Sequence, residues 1–276
     1  MSVTPRLNRL FSSQGKCLQV ALDHGIANVA SFLSGIENMQ QVIGKVVDAQ
    51  PDAILVTLGQ AHWLQDLARK PKPALVMRVD PTNFYCTPTP QLVFCKLLDE
   101  AVEQAVALDA AAIVVNLLWA PDQPDMHRQC VENIVRLKPQ CERLGMPLMV
   151  EPLVMVPDDK GGYKLNDDIQ KTIALARQAV ELGADIVKAD IAENLSDYHL
   201  VVEAASPRPL LPRGGSRVPD QKVLERTHAL IQEGAAGVVY GRNIYQHPHP
   251  QRMVRACQAI VHEGASVAQA AKILEG

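Results

Sequence analysis

The chain lacks the features that would place it in a membrane, on a nucleic acid or among disulfide-stapled secreted proteins. No tract is long and apolar enough to span a bilayer. The first twenty residues, MSVTPRLNRLFSSQGKCLQV, have no continuous apolar stretch followed by a small-residue cleavage site. Positive charge does not accumulate: the formal net charge is -3 and basic clusters do not exceed a dipeptide or so, which leaves no footprint for a polyanion. The six cysteines, Cys17, Cys86, Cys95, Cys130, Cys141 and Cys257, form no C-x-x-C pair, which argues against a zinc ribbon or a thioredoxin-type site. A G-x-G-x-x-G fingerprint is missing after the first apolar run, and no low-complexity linker divides the chain. These absences predict a cytoplasmic protein with reduced thiols, no membrane or nucleic-acid partner, and one domain over residues 1–276.

The composition is that of a globular chain with a sizeable core, 47% hydrophobic and 21% charged over 276 residues. Short runs rich in Val, Ile and Leu recur at intervals of roughly 25 to 40 residues, each followed by a segment of helical period, the mark of βαβ units. The strand candidates are Leu18 to Leu22, Ala53 to Thr57, Ala74 to Val79, Ala112 to Leu117, Leu148 to Leu153, Asp185 to Lys188, Pro209 to Leu211 and Gly237 to Tyr240. About eight such strands close a barrel. The predicted fold is therefore α/β, a single (β/α)8 TIM barrel with short extra terminal helices. The stretches DPTNFYCTPTP, from Asp80, and VPDDKGGYKLN, from Val156, are expected to be long loops on the face where barrels keep their active sites.

Side-chain alternation separates the two faces of each strand, and the outer face must be apolar to meet the helices. Leu18, Val20 and Leu22 go outward, which sends Gln19, Ala21 and Asp23 into the barrel. The same reasoning sends Arg78 and Asp80, Asn116, Met149 and Glu151, and then Ile186, Lys188 and Asp190 inward. Burying so many polar groups is costly unless they pair or do chemistry. Lys188 follows an apolar run, where desolvation favours the neutral amine that attacks a ketone. Glu151 and Asp23 are the inward carboxylates available for proton transfer, and a tyrosine or His24 is a further candidate. His24 falls on the outer face by alternation, so a packing role and a substrate-binding role both stay open for it.

The segment Leu210 to Asp220, LLPRGGSRVPD, reads as strand, glycine turn and helix start, which aims backbone N–H groups at an anion. Gly214, Gly215 and Ser216 are the candidate phosphate contacts, with Arg213 beside them. The next strand ends in Tyr240-Gly241-Arg242-Asn243, again a glycine followed by a cation. Phosphate held by the loops after strands seven and eight recurs in barrels. The His247-Pro248-His249-Pro250 run completes no metal-ligand spacing and is expected to lead into the last helix.

ALDHG at 21 to 25, GADIVKAD at 183 to 190, RGGS at 213 to 216 and GVVYGRNIYQHPHP at 237 to 250 together resemble the class I Schiff-base aldolases of the deoxyribose-phosphate aldolase superfamily. The likeness is nearest to archaeal-type fructose-bisphosphate aldolase and its tagatose-bisphosphate relatives. It implies a Schiff-base lysine at Lys188, a catalytic aspartate at Asp23, and phosphate contacts at Gly214, Gly215, Ser216, Gly241 and Arg242. Archaeal fructose-bisphosphate aldolases carry a tyrosine at the end of strand five, where this sequence reads Met149-Val150-Glu151-Pro152; tagatose-bisphosphate aldolases look more similar there, with a glutamate. Glu151 is accordingly the expected acid/base, with Arg78 and Asn116 reading further groups of the sugar. The resemblance implies a homo-oligomer and cleavage of a phosphorylated ketose to dihydroxyacetone phosphate and an aldehyde. A metal or other cofactor is not expected, because the iminium is the electron sink. A transaldolase-like synthase, an acyl-transferring thiolase and a non-catalytic sugar-phosphate binding barrel are the alternatives.

Overall fold

The computed structural model describes residues 1–166, 168–191 and 194–276. Its strands are β1 (Cys17–Ala21), β2 (Ala53–Thr57), β3 (Ala74–Arg78), β4 (Ala112–Trp119), β5 (Leu148–Pro157), β6 (Tyr163–Leu165), β7 (Ile186–Val187) and β8 (Gly237–Tyr240). Parallel pairing runs from β8 through β1, β2, β3, β4 and β5 to β7. The β2 and β8 boundaries match the expected ones.

The expected strand from Pro209 to Leu211 is present only as two isolated bridges, Leu210 with Val187 and Arg213 with Val239. Pro209 and Pro212 have no N–H, so a continuous ladder is impossible there. The remaining donors still close the barrel. Leu211 N–H bonds to Val187 O at 2.8 Å, Arg213 N–H to Ala189 O at 2.9 Å, and Val239 N–H to Pro212 O at 2.8 Å.

The alternation argument holds at the level of the core. Leu18, Val20, Leu22, Leu75, Met77, Val150 and Val187 belong to the large apolar cluster shared with the helices. Ala21, Leu55, Val76, Val114, Met149, Ile186, Leu211 and Val239 form a second, smaller cluster inside the barrel. Short helices, Thr4–Leu7 and Val267–Glu275, flank the repeats as expected. His249 caps the helix Pro250–Glu263, so the His-Pro run does lead into it.

One expected loop is structured. β5 continues to Pro157 and folds back on β6 in an antiparallel hairpin, with Met155 opposite Leu165. Its turn is tied by the Asp158 carboxylate, which accepts from the Lys160 and Gly162 amides at 2.8 Å each. Glu151 therefore lies within a ten-residue strand rather than at its end. The stretch from Asp80 carries no helix until Ala101, and a bridge between Thr82 and Cys95 folds it over the barrel mouth.

Candidate active site

A cavity of about 290 Å³ opens at the C-terminal end of the barrel. It is lined by every one of the expected site residues. Asp23, His24, Arg78, Asn116, Glu151, Lys188, Arg213, Gly214, Gly215, Ser216, Gly241 and Arg242 meet there, although they come from seven separate segments of the chain.

Lys188 sits directly after β7, and its backbone N–H is held by Val150 O at 2.9 Å. Its ammonium lies 3.0 Å from Glu151 Oε1, and the residue is 4% exposed. Burial pulls the Lys188 pKa below the ordinary lysine range, and Glu151 and Asp23 offset that only in part. For Glu151 burial works against the charge, but Lys188, Arg78 and Arg213 outweigh it and hold the carboxyl well below the usual carboxylate range. Asp23 is also held low, because Arg78 and Lys188 overcome its own burial.

Arg78 departs from its expected role as a reader of the sugar. Its guanidinium is occupied by three carboxylates: Nε donates to Asp23 Oδ2 at 2.9 Å, Nη1 to Asp80 Oδ1 at 3.3 Å, and Nη2 to Glu151 Oε2. It borders the cavity as a clamp that orients the acids. Asn116 is likewise committed, its backbone and side-chain N–H groups donating to Asp80 Oδ2 at 2.6 and 3.0 Å. Its Oδ1 faces the Tyr85 hydroxyl at 3.5 Å.

His24 opens a 3-10 turn after Asp23, so strand alternation does not govern it, and its ring turns to the cavity. The ring packs edge-on against Phe32 and Tyr245, and burial pushes its pKa down to about 4. Gly241 closes the wall: a Cβ there would stand 2.4 Å from the His24 ring and 3.0 Å from Ala21 O.

Opposite the lysine, the cations are under-employed. Arg213 Nη1 and Arg242 Nε are buried without a hydrogen-bond partner. A Glu151 carboxylate oxygen lies 3.9 Å from Arg213 Nε. Arg242 lies over the Phe32 ring at 5.1 Å. The backbone N–H groups of Gly215, Ser216 and Arg217 also lack an acceptor among the described residues. Gly215 is half-buried and Ser216 and Arg217 are exposed, but the two guanidinium donors are buried, and buried donors are normally satisfied, which suits this cluster to an anion from solution. Gly215 at φ +63 makes the turn that brings these amides together.

Sequence reasoning did not single out Tyr85, Tyr163, Lys164 or Phe32, which also line the cavity. Tyr163 and Lys164 arrive on β6, whose glycine turn was the available signal; Tyr163 stacks on Phe84 at 4.4 Å and donates to Asp122. Tyr85 comes from a loop with no periodicity, so nothing local marked it. Among the described residues, no group of three or more His, Cys, Asp or Glu side chains is arranged to hold a metal ion, and no helix is long and apolar enough to cross a membrane.

Comparison with known proteins identifies the fold and the family. The chain is 29% identical over 279 residues to an uncharacterized aldolase of Saccharolobus solfataricus, covering 98% of each chain. It is 29% identical over 271 residues to 3-hydroxy-5-phosphonooxypentane-2,4-dione thiolase of Escherichia coli K12, covering 96% of this chain and 84% of the relative. In three dimensions it resembles an archaeal fructose 1,6-bisphosphate aldolase with a TM-score of 0.78 at 23% identity, covering 95% of this chain and 100% of that one. A related structure, of an archaeal fructose-1,6-bisphosphate aldolase whose catalytic lysine carries the carbinolamine intermediate, superposes with a TM-score of 0.77 at 23% identity, covering 94% and 99% of the two chains. Residues 17–247 match the model of the DeoC/LacD family aldolases, and the chain belongs to that family.

Proposed function

We propose that the protein is a class I aldolase that breaks or forms a C–C bond in a phosphorylated ketose through an imine at Lys188. The observation that carries this reading is the buried Lys188–Glu151 pair standing in one cavity with unpartnered amide and guanidinium donors. A binding protein needs the donors but has no use for a lysine of lowered pKa beside a carboxylate. The cavity volume is at the small end for ligand pockets, which suits a sugar phosphate better than a dinucleotide.

The phosphate docks on Gly214, Gly215, Ser216, Gly241, Arg213 and Arg242. The neutral Lys188 amine then attacks the ketone, and loss of water gives the iminium. Glu151, held ionised, is suited to accept a proton rather than to supply one. It takes the proton of the hydroxyl on the carbon beyond the scissile bond. That C–C bond breaks, its electron pair neutralises the iminium as an enamine, and the aldehyde leaves. Protonation of the enamine carbon and hydrolysis return the amine and release the ketose fragment. Asp23 and Arg78 fix the Glu151 carboxylate throughout, and the Tyr85 hydroxyl, kept neutral by burial, is a donor across the cavity.

Acyl transfer to a thiol acceptor is a second reading, favoured by the similarity to the thiolase. It uses the same imine but needs a phosphorylated 1,3-dicarbonyl substrate: the thiol adds to the second carbonyl and the C–C bond breaks toward the iminium, leaving a thioester and an enamine. A panel of phosphorylated ketoses and phosphorylated 1,3-diketones, assayed with and without coenzyme A, separates the two. Aldehyde release without thiol supports the aldolase; product formation only with thiol overturns it.

A further inference from the structure

The geometry points to Asn243 as the positioning residue that shapes the anion-binding loop after Arg213. This inference rests on the reading of that loop as a phosphate site and assigns the side chain that holds its backbone in the binding form. Asn243 follows β8 and is 3% exposed, yet it does not line the cavity. Its Oδ1 accepts from the Val218 N–H at 3.0 Å, and its Nδ2 donates to Gly214 O at 3.0 Å and to Ser216 O at 3.3 Å. One carboxamide thus holds three backbone groups of a five-residue turn.

The consequence follows from peptide planarity. In a trans peptide the C=O and the following N–H point in opposite directions. Drawing the Gly214 and Ser216 carbonyls toward Asn243 therefore turns the N–H groups of Gly215 and Arg217 away from it. These two amides, with that of Ser216 between them, are the ones without an acceptor among the described residues, and Gly214 to Ser216 border the cavity. Asn243 also ties the loop to the segment bearing Arg242, so the backbone donors and the arginine are held in one register. A Cβ on Gly214 would stand 2.7 Å from Tyr240 Cδ1 and 3.1 Å from Asn243 Nδ2, which shows how closely the loop wraps this side chain.

Asparagine is suited to the task because it offers an acceptor and two donors in one plane. Asn243→Asp keeps size and the acceptor but sets a carboxylate against two carbonyl oxygens. Asn243→Ala removes all three bonds.

The test has two arms. In the folded wild-type protein, inorganic phosphate is titrated while backbone amide resonances are followed; Gly215 and Arg217 are expected to shift most. In both variants, phosphate affinity is measured beside borohydride trapping of unphosphorylated dihydroxyacetone at Lys188. Phosphate binding is expected to weaken by about ten-fold or more, with trapping retained and KM for a phosphorylated ketose raised more than kcat is lowered. If the wild type shifts as expected but the variants bind phosphate equally well, Asn243 has no such role and the phosphate site stands. Trapping lost in step with phosphate affinity overturns the positioning role too. A wild type in which phosphate moves neither amide sinks the phosphate reading itself, and this assignment with it, whether or not the variants fold.

Discussion

At the N-terminal end of the barrel, Asp52 accepts from the Leu18 amide at 2.6 Å and pairs with His262 at 2.8 Å. Asp185 accepts from the Leu148 amide at 3.0 Å and faces Lys138 and Arg208. At the C-terminal end, Glu151 and Asp23 are held by Arg78, while Arg213, Arg242 and three loop amides keep donors in reserve. Both ends bury charge beside strand termini. One end spends its carboxylates on the strands' own amides, which stabilises the closed barrel. The other keeps two buried guanidinium donors that no protein group satisfies, and burying them unpaired costs stability. The contrast assigns function to one end and fold to the other.

The largest break in that contrast is expected from Lys188→Met. Activity is expected to fall by roughly 10³ or more, because among the described residues no other lysine is held beside a carboxylate inside the barrel, and steady-state assay beside thermal unfolding checks that the loss is chemical. Glu151→Gln comes next. It leaves the amine in place but removes the base, so kcat is expected to drop about 10²- to 10⁴-fold, while imine trapping at Lys188 slows without disappearing.

Arg213→Gln tests the reserve donors. KM for a phosphorylated ketose is expected to rise roughly 10- to 100-fold, the worth of one charged hydrogen bond, with a much smaller effect on an unphosphorylated analogue. At the opposite end, Asp52→Ala orphans the Leu18 amide. Denaturant unfolding is expected to show a loss of about 1–3 kcal/mol with kcat unchanged, and a comparable loss of kcat would dissolve the division between the ends.

The smallest effect is in acid. The His24 pKa falls from 6.5 to about 4 on burial, so between those values the unfolded chain binds a proton that the folded one refuses. Stability therefore declines as pH drops through that window, and His24→Gln is expected to flatten the decline. Glu151 and Asp23, whose folded pKa values are depressed, add stability that is present above their unfolded values near 4 and is lost as pH falls through the folded ones. A pH series of unfolding midpoints resolves the two contributions.

Much of the site was legible because strand geometry is periodic. Once Leu18, Val20 and Leu22 were placed against helices, Asp23 had to point inward, and the same logic placed Arg78, Glu151 and Lys188. What alternation does not carry is the identity of partners. Asp80, two residues on, shares its inward face, but nothing in the local sequence of Arg78 says that Asp23 and Glu151 from two other strands close on it as well, and its expected contact with substrate gave way to that clamp. His24 was ambiguous because a 3-10 turn breaks the two-residue period. The strand after Ala205 was over-read, since two prolines in an apolar run reduce it to bridges. The β6 hairpin was under-read, since three residues are too few to show a pattern. Tyr85 reaches its position through a loop, where spacing along the chain says little about spacing in space, and Asn243 through the short helix Arg242–Tyr245, too brief to show a period.

The central claim is that Lys188 forms a covalent imine, and borohydride reduction in the presence of dihydroxyacetone phosphate tests it most directly, with the adduct located by peptide mass. The account predicts one reduced adduct on the peptide containing Lys188, absent from Lys188→Met. Turnover of a phosphorylated ketose with no adduct, or with the adduct on a different lysine, would contradict it.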